Sequence, residues 1–270
     1  MSIVDDRFDV GPLTGRGAMG DVHRAHDRKT GLPVAFKVLK SHHDVDRARF
    51  AREASVLATL SHENIVRYIA HGETRDGALY LVMEWVEGVD LHVRLGDGPL
   101  AIEDVLALTF GIASGMQAAH AKGIVHRDVK PSNVLLADRD CRRSKLADFG
   151  IARPRSGMGV TRTGQILGTP EYMAPEQARS AKDIDERVDV FALGCVVYHV
   201  LAGRPPFEGD DPRVVLAKVM TTDHERLSRL RDDVPPKLEA LVDAMLEKDP
   251  SCRPTAGDIA ERSARLRGGG

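Results

Sequence analysis

Cysteine is scarce in this chain. There are three in 270 residues, and Cys141, Cys195 and Cys252 lie far apart. An odd count with no C-x-x-C spacing argues against a disulfide framework or a zinc site and points to a reducing compartment, the cytoplasm. Long apolar runs are missing as well. The longest mostly apolar stretch, VFALGCVVYHVLAG over 190–203, has 14 residues and contains a His, which suits a buried helix and is too short to span a bilayer. No sign of charge dominates: the formal net charge is −2, so no global basic field argues for a nucleic-acid partner. The opening MSIVDDRFDVG is acidic early and lacks a signal-peptide core. There are no internal repeats and no low-complexity segment apart from Gly268–Gly270.

What is present is a chain that is 42% hydrophobic, long enough for one large domain or two small lobes. Its first third reads as strands: FDVGPLTGRGAMGDVHRAHD and PVAFKVLK are β-type runs broken by Gly and Pro. The period then changes. Phe50, Ala54, Leu57 and Leu60 make one face of a helix over 45–61. Strands return in NIVRYIAHGETRDGALYLVMEWVEG, with a turn near Asp76–Gly77. Beyond Gly88 the pattern is mainly helical, at roughly 100–122, 189–202, 212–221, 235–247 and 255–267, with short strands at 133–137 and 144–147. A strand-rich part followed by a helix-rich part is α+β with two lobes, joined near Glu84–Gly88.

Several residues resist a purely architectural reading. GRGAMGDV, Gly15 to Val22, fits G-x-G-x-x-G-x-V, which is either a turn or a loop whose backbone N–H groups can approach phosphates. A dinucleotide fingerprint needs a helix next, and the sequence that follows reads as a strand. Lys37 lies inside the apolar run VAFK, and Glu53 shares the apolar face of the 45–61 helix. Each could reach solvent on its own, but pairing the two explains both charges at once. In HRDVKPSN, Asp128 and Asn133 stand five apart before a strand, and Asp148 of DFG follows the next short strand. Two such strands side by side would gather Asp128, Asn133 and Asp148 at one end of a hairpin, a donor set that suits Mg²⁺.

Together these motifs resemble the catalytic domain of protein kinases, in particular the eukaryotic-like Ser/Thr kinases of bacteria. The resemblance covers roughly residues 8–267 and rests on GRGAMGDV, VAFK, the helix Glu, HRDVKPSN, DFG, GTPEYMAPE, DVFALG and Arg253-Pro254, in that order. It implies a bilobal fold with an N-lobe at 8–83, a hinge at 84–88 and a C-lobe at 89–267. It implies ATP and Mg²⁺ as cofactors, with Mn²⁺ as an alternative. Gly15, Gly17 and Gly20 would cover the ATP phosphates, with Leu13 and Arg16 beside them. Lys37 would contact the α- and β-phosphates and pair with Glu53. Asp128 would orient the substrate hydroxyl and accept its proton, and Lys130 would neutralise the transferring γ-phosphoryl group. Asn133 and Asp148 would hold the metal. Backbone groups of Glu84 and Val86 would bind adenine beside Met83, with Val22, Ala35 and Leu135 sandwiching the ring. His126, which chemistry alone would also allow as a general base, is implied to pack in a column with Leu57, Tyr68 and Phe149.

The same resemblance makes 148–176 an activation segment. Thr161 and Thr163 would be phosphorylated, with Arg127 and Arg153 as clamps. Thr169 would bond to Asp128 and Lys130 and favour Ser/Thr acceptors, and Glu176 would pair with Arg253. The implied partners are Ser/Thr-bearing proteins and a second copy for trans-autophosphorylation. A pseudokinase would have lost Lys37, Asp128 or Asp148; all three are here. A small-molecule phosphotransferase would lack Lys130 and GTPEYMAPE, and Lys130 with Thr169 disfavours a tyrosine kinase. With no sensor domain and no membrane helix in the chain, the expectation is either a soluble kinase or the kinase part of a longer protein.

Overall fold

The computed structural model describes residues 2–17, 20–40, 47–149, 159–160, 166–167, 169–179, 181 and 184–268. The chain divides into two compact units, Met1–Glu87 and Gly88–Gly270.

Among the described residues, the first unit is a six-stranded antiparallel sheet with one helix. Its strands are β1 (Ser2–Val4), β2 (Phe8–Arg16), β3 (Gly20–Asp27), β4 (Leu32–Leu39), β5 (Tyr68–Glu73) and β6 (Leu79–Glu84), in spatial order β1-β2-β3-β4-β6-β5. The two-residue period of the strands separates two chemistries. On one face Phe8, Val10, Ala25, Val34, Phe36, Tyr80 and Val82 form the core, with the Phe36 and Tyr80 rings stacked at 4.6 Å. The opposite face carries Val22, Ala35, Lys37, Leu81 and Met83, whose registers are Val22↔Lys37, Lys37↔Leu81 and Ala35↔Met83. β1 lies outside the strand pattern read from sequence, because three residues are too few to show alternation.

Helix α1 (Arg47–Leu57) is shorter than the expected 45–61. Residues 41–46 lie outside the described set. At its other end the ladder tightens: Thr59 N donates to Val56 O and Leu60 N to Leu57 O, while Thr59 Oγ1 also bonds to Val56 O at 2.7 Å. A side chain that competes for a carbonyl of the last turn helps end the helix there. Leu60 is still buried, from beyond the helix.

The second unit is mainly helical. After β7 (Gly88–Asp90) come α2 (Leu91–Leu95) and α3 (Ile102–His120), then β8 (Val134–Ala137) and β9 (Ser144–Leu146). β7, β8 and β9 form a small antiparallel sheet in that order. Gly88 opens it at φ 151°, where a Cβ would lie 2.0 Å from Leu136 O, so only glycine fits. A two-stranded ribbon, β10 (Gly159–Val160) and β11 (Ile166–Leu167), precedes α4 (Pro175–Ala178), α5 (Arg187–Ala202), α6 (Pro212–Thr221), α7 (Pro236–Met245) and α8 (Ala256–Gly268). The long helices and both hairpin strands fall where the hydrophobic periods predict. α2, α4 and β7, each five residues or fewer, go unseen in the sequence. Helix α5 is buried almost end to end and stops at Gly203, which takes the left-handed conformation at φ 74° and donates its N–H to His199 O. Among the described residues no helix is long and apolar enough to cross a membrane.

Candidate active site

The segment 126–133 is held in place by buried polar contacts within the second unit. His126 is fully buried and both its ring nitrogens are engaged. Asp128 N–H donates to Nδ1 at 3.2 Å, and Nε2 lies 2.8 Å from Ala147 O. The first contact needs Nδ1 as acceptor, so the proton sits on Nε2 and is donated to the carbonyl. Burial pushes the imidazole pKa down and keeps it neutral. The ring also packs 4.5 Å from Phe149. A histidine so committed cannot serve as a general base; it ties the loop to the strand that leads into Asp148.

Asp128 is met by two groups of its own loop. Asn133 Nδ2 donates to Asp128 O at 2.8 Å and to Oδ2 at 3.2 Å, and Lys130 Nζ lies 3.2 Å from Oδ2. Asn133 thereby commits its amide nitrogen and turns its Oδ1, a hard oxygen donor, toward other work. The β8–β9 ladder pairs Val134 with Leu146, and Ala147 N donates to Asn133 O at 2.8 Å, so Asn133 and Asp148 lie at the same end of the hairpin. Arg127 (φ 64°) and Asp148 (φ 60°) both take left-handed backbone, which is costly for a side-chain-bearing residue and tends to gather at functional sites. One Asn and one Asp are few ligands for a dedicated metal cage. They fit Mg²⁺, which keeps water and takes phosphate oxygens. Among the described residues no cluster of three His, Cys, Asp or Glu forms a metal site of another kind.

Three residues that support this loop carried no assigned role in the sequence reading. Asp189, at the start of α5 and 0% exposed, accepts the backbone N–H of His126 through Oδ2 (2.8 Å) and of Arg127 through Oδ1 (2.7 Å). His120 Nε2 also contacts Oδ2 at 2.8 Å. Gln177 accepts from Ala174 N through Oε1 and donates to Arg127 O at 3.3 Å. The signal was available for Asp189: a carboxylate opening a 14-residue apolar helix must be buried, and a buried carboxylate must be partnered.

In the first unit, Lys37 sits on β4 and is 7% exposed, on the face it shares with Val22, Ala35 and Met83. Gly15 and Gly20 differ in kind. A Cβ on Gly20 would lie 2.3 Å from Val38 O, so the sheet itself requires glycine there, whereas one on Gly15 would meet nothing within 4 Å. Gly17 closes the hairpin, donating its N–H to Gly20 O at 2.9 Å. Leu13 and Arg16 flank them on β2, in its exposed half. Glu84 N–H is spent on Arg67 O (2.9 Å), so any adenine contact of Glu84 falls to its carbonyl. Leu135 is the half-buried residue of β8, between buried Val134 and Leu136.

Two expectations need correction. Glu53 does not take Lys37 as its ion-pair partner; its Oε1 accepts from Arg49 Nε at 2.9 Å, because a residue one turn back on the same helix is in direct reach. Thr169 opens the 3-10 turn Pro170–Tyr172 with its carbonyl, which accepts from Tyr172 N. The expected bonds of its hydroxyl to Asp128 and Lys130 are not among those made by the described residues. The pair expected between Glu176 and Arg253 is made, at 2.7 and 2.9 Å. Thr161, Thr163 and Arg153 lie outside the described residues.

Fold and loop together are those of a phosphotransferase scaffold, and comparison with known proteins narrows this. The family model described as the protein kinase domain matches residues 8–263. The chain is 40% identical over 259 residues to the serine/threonine-protein kinase PknB of Mycolicibacterium smegmatis, covering 93% of this chain and 41% of that protein. It is 40% identical over 275 residues to the serine/threonine-protein kinase pkn2 of Myxococcus xanthus, covering 97% and 32%. It is 37% identical over 278 residues to PknB of Mycobacterium tuberculosis, covering 99% and 44%. The chain belongs to the protein kinase family. It spans less than half the length of these curated relatives.

Proposed function

We propose that this chain transfers the γ-phosphoryl group of ATP to Ser and Thr hydroxyls of proteins. The observation that carries the reading is the set around Asp128: a carboxylate held by Asn133 Nδ2 and Lys130 Nζ, with Asn133 tied by its carbonyl to the residue before Asp148. Asp128 orients the acceptor hydroxyl and takes its proton. Lys130 offsets charge on the transferring group. Lys37 binds the α- and β-phosphates. Asn133 Oδ1 and Asp148 are the ligands for a divalent cation, Mg²⁺ or alternatively Mn²⁺, which when bound neutralises phosphate charge. Catalysis of this kind is mainly positioning and charge stabilisation. Gly15, Gly17 and Gly20, with Leu13 and Arg16, cover the phosphates. Val22 and Ala35 flank adenine, next to Met83 and the backbone of Glu84 and Val86.

In this reading the kinase domain runs over 8–267, with its hinge at 84–88. Thr161 and Thr163 are the proposed autophosphorylation sites, reached in trans within a homodimer, and Thr169 belongs to the loop that selects the acceptor. Cys141, Cys195 and Cys252 are free thiols, which suits the cytoplasm.

The test is phosphate incorporation from Mg-ATP, read by intact mass, for wild type beside Asp128→Asn. The substitution keeps the shape and removes the proton acceptor. Uptake by wild type alone is expected, with peptide mapping placing phosphate on Thr161 or Thr163. Equal uptake by both proteins refutes the role of Asp128.

A further inference from the structure

Lys40 stands one residue past the end of β4, the strand that carries Lys37. Leu39 pairs with Gly20, so Lys40 leaves the sheet beside the base of the β2–β3 hairpin. Its Nζ donates to Gly17 O at 2.8 Å and lies 3.7 Å from Asp21 Oδ1. The first contact is a full hydrogen bond; the second is an ion pair, too long for one. Asp21 Oδ1 is buried with no hydrogen-bond partner, and the nearby ammonium offsets its charge. A single cation therefore holds two points of the hairpin, one on each strand side of its tip.

The hairpin needs such a tie. Its ladder shifts register twice, between Val10 and Leu13 and again between Leu13 and Gly15, so the pairing is irregular toward the tip. Glycines at 15, 17 and 20 add backbone freedom that must be given up when the hairpin is ordered. The base is fixed by sterics, since Gly20 lies against Val38 O. Gly17 has its N–H on Gly20 O at 2.9 Å, a bond within the hairpin itself. The Lys40 bond is different in kind: it joins the Gly17 carbonyl to a neighbouring strand.

We propose that Lys40 is a positioning residue for the phosphate-covering hairpin: its ammonium ties the Gly17 carbonyl to the end of β4 and holds the hairpin ready for the nucleotide. The inference rests on the phosphotransfer reading above, and adds to it a residue that takes no part in the transfer itself. Bound ATP orders the same hairpin through its phosphates, so the tie matters most before ATP arrives. Its loss falls on KM for ATP more than on kcat.

The experiment has two arms, run on wild type, Lys40→Met, Lys40→Arg and Lys37→Met. Hydrogen–deuterium exchange over the β2–β3 hairpin is followed in the nucleotide-free proteins. Initial rates of phosphate transfer from Mg-ATP to dephosphorylated casein are measured at varied ATP, with adenosine as a competing inhibitor. Lys40→Met is expected to exchange faster over the hairpin and to raise KM for ATP, each about three- to ten-fold, the span of one half-exposed hydrogen bond from a charged donor. Its kcat and the inhibition constant of adenosine, which has no phosphates, are expected to stay within about two-fold of wild type. Lys40→Arg keeps a cationic donor in reach of Gly17 O and is expected to restore most of both effects. Unchanged exchange in Lys40→Met overturns the proposal, even with a raised KM, because the ammonium would then act on the phosphates directly. An unchanged KM for ATP overturns it, as does an equal weakening of adenosine or a Lys40→Arg no better than Lys40→Met. The underlying reading fails separately: Lys37→Met as active as wild type, or no transfer by any protein, removes the phosphotransfer assignment and this inference with it. Lys37→Met inactive beside a Lys40→Met equal to wild type in both arms removes the tie alone.

Discussion

Arg127 donates its backbone N–H to Asp189 Oδ1 at 2.7 Å while its own backbone is left-handed at φ 64°. The two facts explain each other. A non-glycine residue in that conformation persists only where its surroundings hold it. The neighbouring His126 N–H occupies the other oxygen of the same buried carboxylate. Asp128 is the next residue in the chain, so α5 sets the position of the proposed catalytic carboxylate.

Asp189→Asn tests this. The amide keeps one acceptor oxygen and turns an N–H₂ toward a donor. One buried N–H loses its partner, which costs roughly 1–3 kcal/mol. Urea denaturation is expected to show a loss of about that size, and phosphate transfer is expected to drop more than ten-fold, since a small displacement of Asp128 misaligns the hydroxyl. Full activity in a destabilised variant would mean that Asp189 supports the fold without setting the site.

Glu176 and Arg253 give a second prediction. The guanidinium side chain is 0% exposed, bonds to both Glu176 oxygens, and donates to the carbonyls of Arg187, Glu247 and Lys248. It also lies 4.9 Å over the Phe191 ring. Removing one partner of a buried pair strands the other charge, at about 3–5 kcal/mol. Arg253→Met is therefore expected to lose about that much in equilibrium denaturation. Glu176→Gln, which can still accept, should lose less. A loss under about 1 kcal/mol for Arg253→Met would show that the pair is not a structural tie.

The contrast between these charges and Glu53 shows what the sequence could carry. Motif order was enough to bring Asp128, Asn133 and Asp148 together, because a short hairpin leaves little freedom between them. Hydrophobic period was enough for α3, α5, α6, α7 and α8. Glu53 was harder. A helical face says that its carboxylate needs a partner but not which one, and the partner it takes is Arg49, one turn back on the same helix. Asp189 and Gln177 act on backbone N–H and C=O groups, and such targets leave no trace in residue type. Thr169 depends on the local turn geometry, which a motif does not fix.

His126 predicts an acid limb. Burial lowers its folded pKa below the unfolded value of about 6.5. As pH falls through that value the unfolded chain takes a proton that the folded chain refuses, so stability drops. His126→Phe keeps a ring against Phe149 but cannot titrate. It leaves Asp128 N and Ala147 O without their partner, so it should be less stable at pH 7.5 by about 1–3 kcal/mol. Between pH 7.5 and 5.5, wild type should lose more stability than the variant. Parallel losses would mean that His126 is protonated in the folded state.

Lys248 predicts the opposite limb. Its Nζ is buried without a hydrogen-bond partner, 3.9 Å over the Phe207 ring. Burial pushes its pKa down from 10.5 to about 8. The ring face attracts the ammonium, as does the more distant Phe191 ring at 5.8 Å, and this offsets part of that burial, but cation–π contacts at roughly 0.5–2 kcal/mol each replace hydration incompletely. Below pH 8 both folded and unfolded lysine are charged and the penalty is present in full. From pH 8 to 10.5 the folded lysine has lost its proton while the unfolded one keeps it, so this group's contribution to stability rises with pH. Lys248→Met, similar in length and uncharged, removes both the penalty and the slope. Guanidinium titrations at pH 7, 8, 9 and 10 should find the variant at least as stable as wild type at pH 7. The advantage should shrink steadily above pH 8. A variant clearly less stable at pH 7, by an amount that does not change with pH, would mean that the cation–π contact outweighs burial and that Lys248 is a structural cation.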